Sequence, residues 1–162
     1  MEKNKGEGRF KSTEILEFVL NDDGSSQKYA VEVAYINEVY SIKNVTMLPC
    51  TPAFIVGIMN FRGKIISVID IRNFLGFTMN KIDADNVKKV IVINMNEIEL
   101  GIAVDEILGC KDIHLSEIQK NISTITNFNT YYFEGITKER SIVLDIKNIM
   151  MDEKIIVNED VI

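Results

Sequence analysis

TPAFIVGIMNFRGKIISVIDIRNFLG, residues 51–76, sets two apolar runs around the tetrapeptide Asn60-Phe61-Arg62-Gly63. Residues 64–69 (KIISVI) read as a buried strand. Arg62-Gly63 reads as a tight turn, because glycine accepts positive φ at no steric cost. Asn60 fits the same turn. Thr51-Pro52 is a helix-start signal, a capping hydroxyl followed by proline at the first helical position, so a short helix is expected over 53–58. Asp70 is expected to cap a helical turn that ends at Gly76. The arginine poses the question. Enclosed, it must be paired, because a buried charge without a partner is costly. Half-buried, it keeps its guanidinium fork free for another molecule.

Outward from this stretch, short strands alternate with turn signals. Residues 14–20 (EILEFVL) place Leu16, Phe18 and Leu20 on one face of a strand. Asn21 to Ser26 is a turn cluster, and residues 28–33 (KYAVEV) complete a hairpin. Val33, Ile36, Val39 and Tyr40 are spaced for either a helical turn or an irregular strand. Residues 78–88 are polar and mark the expected boundary. Residues 90–95 (VIVINM) and 99–104 (ELGIAV) read as strands joined at Asn96-Glu97. Ser116 is expected to cap a short helix through Lys120. Residues 121–132 read as a loop, and 134–148 hold one or two further strands. The expected organisation is a loose tail over 1–12, one domain over 13–150 divided at about 82–86, and a second tail over 151–162.

The halves echo one another. YAVEVAYINEVYSI (29–42) aligns with LGIAVDEILGCKDI (100–113), and IVGIMNFRGKIISVIDIRNF (55–74) with YFEGITKERSIVLDIKNI (132–149). Two related β units of this size are each marginal alone, so they are expected to share a core, with a groove at their seam. Close turn spacing favours barrels or sandwiches over helical layers.

The composition points away from most chemistries. The chain has 162 residues, 46% hydrophobic and 26% charged, with a net charge of −6, which suits a globular protein and not a nucleic-acid binder. No apolar leader opens it and no run reaches a membrane span, so a soluble, cytoplasmic protein is expected. Cys50 and Cys110 form no pair motif and read as buried thiols. With one histidine, His114, and two cysteines, there is little room for a zinc site or a nucleophile–histidine pair. No phosphate-binding glycine loop opens a helix. Asp70, Asp105 and Asp145 are the candidate carboxylates for acid–base work. Asp70 and Asp145, however, hold equivalent places in the echo, and capping explains both. Asn21 to Gly24 lacks the later ligands of a calcium loop. No catalytic residue, cofactor or metal is expected.

The motif T-P-x-F-I-x-G-(I/V)-x-N-(F/L)-R-G-K-I-I-x-V-(I/V)-D-(I/L)-R over 51–72, with Y-A-V-E-V, I-N-E-V, G-I-A-V-D and the later E-G-I and L-D-I-K-N segments, resembles the CheW family of bacterial chemotaxis proteins. The resemblance runs from about residue 14 to 150; Phe61 and Cys110 depart from its commoner aliphatic choices. It implies a mainly β fold of two intertwined five-stranded SH3-like barrels around a shared core, with short helices. It implies a non-enzymatic adaptor that couples the cytoplasmic tip of methyl-accepting chemoreceptors to the regulatory domain of the histidine kinase CheA, recruited to membrane-associated arrays. By the same resemblance Glu38 is the expected partner of Arg62. Val33, Ile36, Glu38, Val39, Arg62 and Ile107 are the expected receptor-binding positions, and Met47, Leu48 and Ile65 the kinase-binding ones. Asn60, Gly63 and Asp70 keep structural roles. No receiver domain with a phosphorylatable aspartate is expected after the barrels. The alternatives are an adaptor of a related kinase pathway such as pilus-based motility, a small-ligand-binding barrel, and a hydrolase using Asp70 or Asp105.

Overall fold

The computed structural model describes residues 11–42, 44–120 and 130–156. Among the described residues ten strands run in order: β1 (Ser12–Asp22), β2 (Ser25–Glu32), β3 (Ile36–Ser41), β4 (Ile55–Phe61), β5 (Lys64–Ile69), β6 (Lys89–Met95), β7 (Ile98–Val104), β8 (Glu106–His114), β9 (Phe133–Ile136) and β10 (Ile142–Leu144). Helix α1 (Ile71–Phe74) follows β5, and α2 (Ile146–Met150) follows β10. The strands form two five-stranded sheets: sheet I in the order β8-β1-β2-β10-β9, and sheet II in the order β3-β6-β7-β5-β4. The mainly β architecture expected from the sequence is present.

Turn chemistry sets the hairpins. Asp23-Gly24 joins β1 to β2, Arg62-Gly63 joins β4 to β5, and Asn96-Glu97 joins β6 to β7. All six turn residues have positive φ. A two-residue turn of this hand matches the twist of the strands it joins.

The echo in the sequence is an echo in the fold. Taking β1–β5 and β6–β10 as repeats, both sheets have the same order of repeat positions, 3-1-2-5-4. Each sheet draws its first two strands from one repeat and its last three from the other. Parallel pairs make both joins: Val143 opposite Ala30 in sheet I, and Val68 opposite Gly101 in sheet II. Neither sheet is therefore confined to residues 13–82 or 86–150, and the two barrels are interleaved along the chain.

Alternation along the strands then divides the apolar side chains among three clusters. Leu16, Phe18, Tyr29 and Val31 from sheet I meet Ile69, Ile91, Ile93 and Ile102 from sheet II in the shared core. The opposite faces of the same strands fill the barrels. Val68, Val90, Val92 and Ala103 lie inside sheet II. Ile15, Ala30 and Val143 lie inside sheet I. Strands such as β6, buried on both faces, read as continuous apolar runs for this reason. The interior of sheet I is the more polar. Buried Glu17 accepts a hydrogen bond from Ser141 Oγ and pairs with Lys111 Nζ at 3.2 Å, while the same ammonium lies 2.6 Å from Glu139.

Three readings of the sequence are corrected. The helix expected over 53–58 is absent: Ile55 onward is β4, whose β-branched residues pair with β5, and Thr51 Oγ1 donates to Leu48 O at 3.3 Å instead of capping. Ser116 does not cap a helix. It lies in a 3₁₀ turn, Leu115–Glu117, without a side-chain cap, and the chain re-extends so that Gln119 can bridge Ile136 of β9. Cys50 and Cys110 are exposed: Cys50 lies in a turn with positive φ, and Cys110 is on β8, which ends its sheet. The ambiguous segment after Val33 is both alternatives in succession, a 3₁₀ turn over Val33–Tyr35 and then β3. Residues 121–129 and most of the tails lie outside the described residues, although Ile155 is buried in the shared core.

Gly57 and Gly135 mark where the barrels close. Thr46 bridges Ile58 in sheet II, and Gln119 bridges Ile136 in sheet I. A Cβ at Gly57 would lie 2.3 Å from Thr46 O, and one at Gly135 2.4 Å from Gln119 O. Backbone cannot yield as a flexible side chain can. Gly57→Ala is expected to cost about 2 kcal/mol or more in a denaturant titration.

Candidate functional site

Arg62 occupies the first position of the β4–β5 turn at φ 50°, and Gly63 follows at φ 80°. Asn60 Oδ1 accepts a hydrogen bond from Gly63 N at 3.1 Å, which pins the turn. The turn lifts the guanidinium off the barrel. Its side chain is 65% exposed, and Nη2 donates to Glu38 Oε2 on β3 at 3.0 Å. The guanidinium carbon also lies 5.1 Å from the centroid of the Phe61 ring, which meets the Tyr40 ring edge-on at 5.8 Å. The arginine is thus paired but not enclosed. Beside it Lys64 Nζ lies 3.2 Å from Glu99 Oε1, and Glu99 Oε2 accepts from Asn37 Nδ2 at 3.1 Å. Two ion pairs, Glu38–Arg62 and Glu99–Lys64, thus flank this turn.

Val33, Ile36 and Ile107 are half-buried and pack against the shared core. Ile36 and Ile107 occupy equivalent positions in the two repeats, at the starts of β3 and β8. Val39, by contrast, is 41% exposed on β3. Sequence reasoning missed Tyr35, Met95 and Ile98, which also flank the shared core; Met95 and Ile98 border a turn and so read as strand ends. Met47 and Ile65 are exposed and Leu48 is half-buried. Ile65 lies opposite Asn60, and Met47 follows the residue that bridges Ile58. Half-buried Ile58 belongs with this apolar patch, and its place on the outer face of β4 was the signal available.

The three aspartates are occupied. Asp70 is fully buried; its Oδ1 accepts from Arg72 N and Nε at 3.0 and 3.1 Å, and its Oδ2 from Arg72 Nη2 at 3.0 Å. Arg72 Nη1 donates to Asn21 O, tying α1 to the β1–β2 turn. Burial works against the Arg72 charge, and the Asp70 bonds with the charges of Asp22 and Asp105 more than offset it. Asp145 caps α2, with Oδ1 accepting from Asn148 N at 2.9 Å. Asp105 Oδ2 accepts from Asn21 N at 2.7 Å. His114 is exposed. Among the described residues no group of three or more His, Cys, Asp or Glu is arranged to hold a metal ion. No described helix is long and apolar enough to cross a membrane.

The arrangement belongs to a class: a two-barrel β protein whose buried charged groups, Glu17, Asp70 and Arg72, are paired within its own structure and whose outer faces carry apolar patches and ion pairs. Residues 14–154 match the CheW-like domain family, and the chain belongs to that family. It is 29% identical over 154 residues to the chemotaxis protein CheW of Thermotoga maritima, spanning 93% of this chain and 95% of that one. It is 27% identical over 151 residues to the CheW of Klebsiella aerogenes, spanning 91% and 87%. The crystal structure of the scaffolding protein TtCheW from Thermoanaerobacter tengcongensis has the same fold, with a TM-score of 0.71 at 24% identity over 89% of this chain and 96% of that one. The relatives of Thermotoga maritima, Klebsiella aerogenes and Bacillus subtilis are all named chemotaxis proteins.

The two arginines of the 51–76 stretch should respond in opposite ways. Arg62→Ala breaks an exposed pair and is expected to change stability by less than about 1 kcal/mol. Arg72→Ala leaves a buried carboxylate without its partner and is expected to cost about 3 kcal/mol or more. Thermal and denaturant melts of both variants check the contrast.

Proposed function

We propose that this chain is a non-enzymatic adaptor that links the helical tip of a methyl-accepting chemoreceptor to the regulatory domain of a CheA-type histidine kinase, and so is held at membrane-associated arrays. The observation that carries the reading is the exposed lip of sheet II. Val39, Met47 and Ile65 are apolar and exposed there, beside the exposed Arg62–Glu38 pair. Scattered exposed apolar residues are ordinary, but several around one hairpin suit a docking surface.

The receptor contact is assigned to Val33, Ile36, Val39 and Ile107, with Glu38 and Arg62 at its edge. A receptor tip is a helical hairpin, and an apolar helix face laid against half-buried aliphatic side chains binds by burial alone. Arg62 then adds direction, since its fork can exchange Glu38 for a carboxylate or backbone carbonyl on the helix. The kinase contact is assigned to Met47, Leu48 and Ile65 on sheet II.

A titration against the purified kinase regulatory domain and, separately, a receptor-tip fragment tests this. Saturable binding of both is expected. Ile65→Glu should weaken kinase binding at least tenfold with an unchanged melt, because a charge must be desolvated at the contact. Arg62→Ala should weaken receptor binding and leave kinase binding in place. Absence of wild-type binding to both partners would overturn the proposal.

A further inference from the structure

The two barrels differ where their repeats align. Gly57 meets Thr46 O and Gly135 meets Gln119 O, each the closing carbonyl of its own barrel, so Val56 and Glu134 are equivalent. The parallel joins equate Gly101 with Ala30, so Ala103 and Glu32, two residues further on, are equivalent. Val56 and Ala103 are buried among the apolar side chains inside sheet II. In sheet I the same two places hold carboxyl groups. The fold itself therefore does not call for acids here.

Register brings the two glutamates together. β10 stops at Leu144, and Val143 lies between Ala30 of β2 and Gly135 of β9. Glu32 and Glu134 thus flank the end of β10 from β2 and β9. Both line a cleft of about 450 Å³ whose apolar wall includes Leu115, Ile118 and Phe133. Two carboxylates lining one cleft repel and have no proton to donate, so a hydrogen bond between such groups forms only while one is protonated.

The surroundings set when that proton leaves. Asp145, at the α2 cap, lines the cleft as a further acid, and Lys120, beyond the 3₁₀ turn, as a cation. From β1, Thr13 Oγ1 donates to Glu32 Oε1 at 3.3 Å. Tyr35, after Glu32, feels all three carboxyl groups, and burial first and then their charges push its phenol up. Burial, then the Glu32 hydrogen bond and the charges of Glu32 and Asp145, raise the Glu134 carboxyl to about 8, with Lys120 acting the other way.

We propose that Glu32 and Glu134 form a proton-operated latch between β2 and β9: with one shared proton they close the lip of sheet I, and without it they repel and loosen β9. The Glu134 proton is bound more tightly in the folded chain than in the unfolded one. Stability from the latch is therefore full below the ordinary glutamate range and is lost as pH rises toward about 8, after which it no longer changes.

The test compares thermal melts of the wild type, Glu134→Gln, and the double variant Glu32→Ala/Glu134→Val, which installs the residues of the other barrel, from about pH 5 to about pH 9. The wild type should lose several degrees relative to both variants across that range. Carbon-detected NMR should show a glutamate carboxyl titrating near 8 in the wild type and none there in Glu134→Gln. If the double variant fails to fold, Glu134→Gln carries the comparison. A flat difference between the melts, or no glutamate carboxyl titrating above the ordinary range, would overturn the latch. No partner enters either measurement, so the result stands apart from the adaptor reading.

Discussion

The shared apolar layer depends on an exchange: each repeat gives its first two strands to one sheet and its last three to the other. A repeat of this size buries little surface and is marginal alone. Exchange removes the difficulty, because neither sheet can form without both repeats. It also makes strands such as β6 two-sided, with Ile91 and Ile93 in the layer between sheets and Val90 and Val92 inside a barrel. The parallel joins at Val143–Ala30 and Val68–Gly101 are where the repeats are sewn together.

That constraint decides the fate of the polar groups. Asp70 and Arg72 are buried because α1 must dock against the β1–β2 turn, and their mutual bonds make this tolerable. Asp105 accepts from the backbone N–H of Asn21, the residue whose carbonyl Arg72 reaches. These are the carboxylates a catalytic reading would have used, and each already has a partner. Arg62 differs because a two-residue turn lifts it away from the barrel. Its pairing with Glu38 leaves most of its surface in solvent. The physical division is between an interior that serves the fold and a rim that remains available to other molecules.

Local features of this fold were legible in the sequence where a single residue type does a single job. Asp23-Gly24 and Arg62-Gly63 announced their turns, and the repeated Asp-Ile-(Arg/Lys)-Asn announced the caps at Asp70 and Asp145. The Arg62–Glu38 contact came from family resemblance and not from spacing. Thr51-Pro52 misled because a capping hydroxyl and a proline also suit a turn, and the β-branched residues beyond them gain more by pairing with β5. The strand exchange was out of reach because its joins link residues far apart in the chain, 33 positions for Val68 and Gly101 and 113 for Ala30 and Val143. The Glu32–Glu134 pair was hidden for the same reason, since nothing local in KYAVEV or YFEGI brings them together. The exposure of Cys110 likewise follows from sheet order, which the thiol's own neighbours do not reveal.

The central claim is that the seam between the sheets and the neighbouring lip of sheet II receive a helix. The most direct measurement is NMR shift mapping of the isotopically labelled chain during addition of a receptor-tip fragment. The account predicts changes concentrated at Val33, Ile36, Val39, Arg62 and Ile107, with the sheet I cleft at Glu134 unaffected. Changes confined to that cleft, or none at a saturating concentration of fragment, would contradict it.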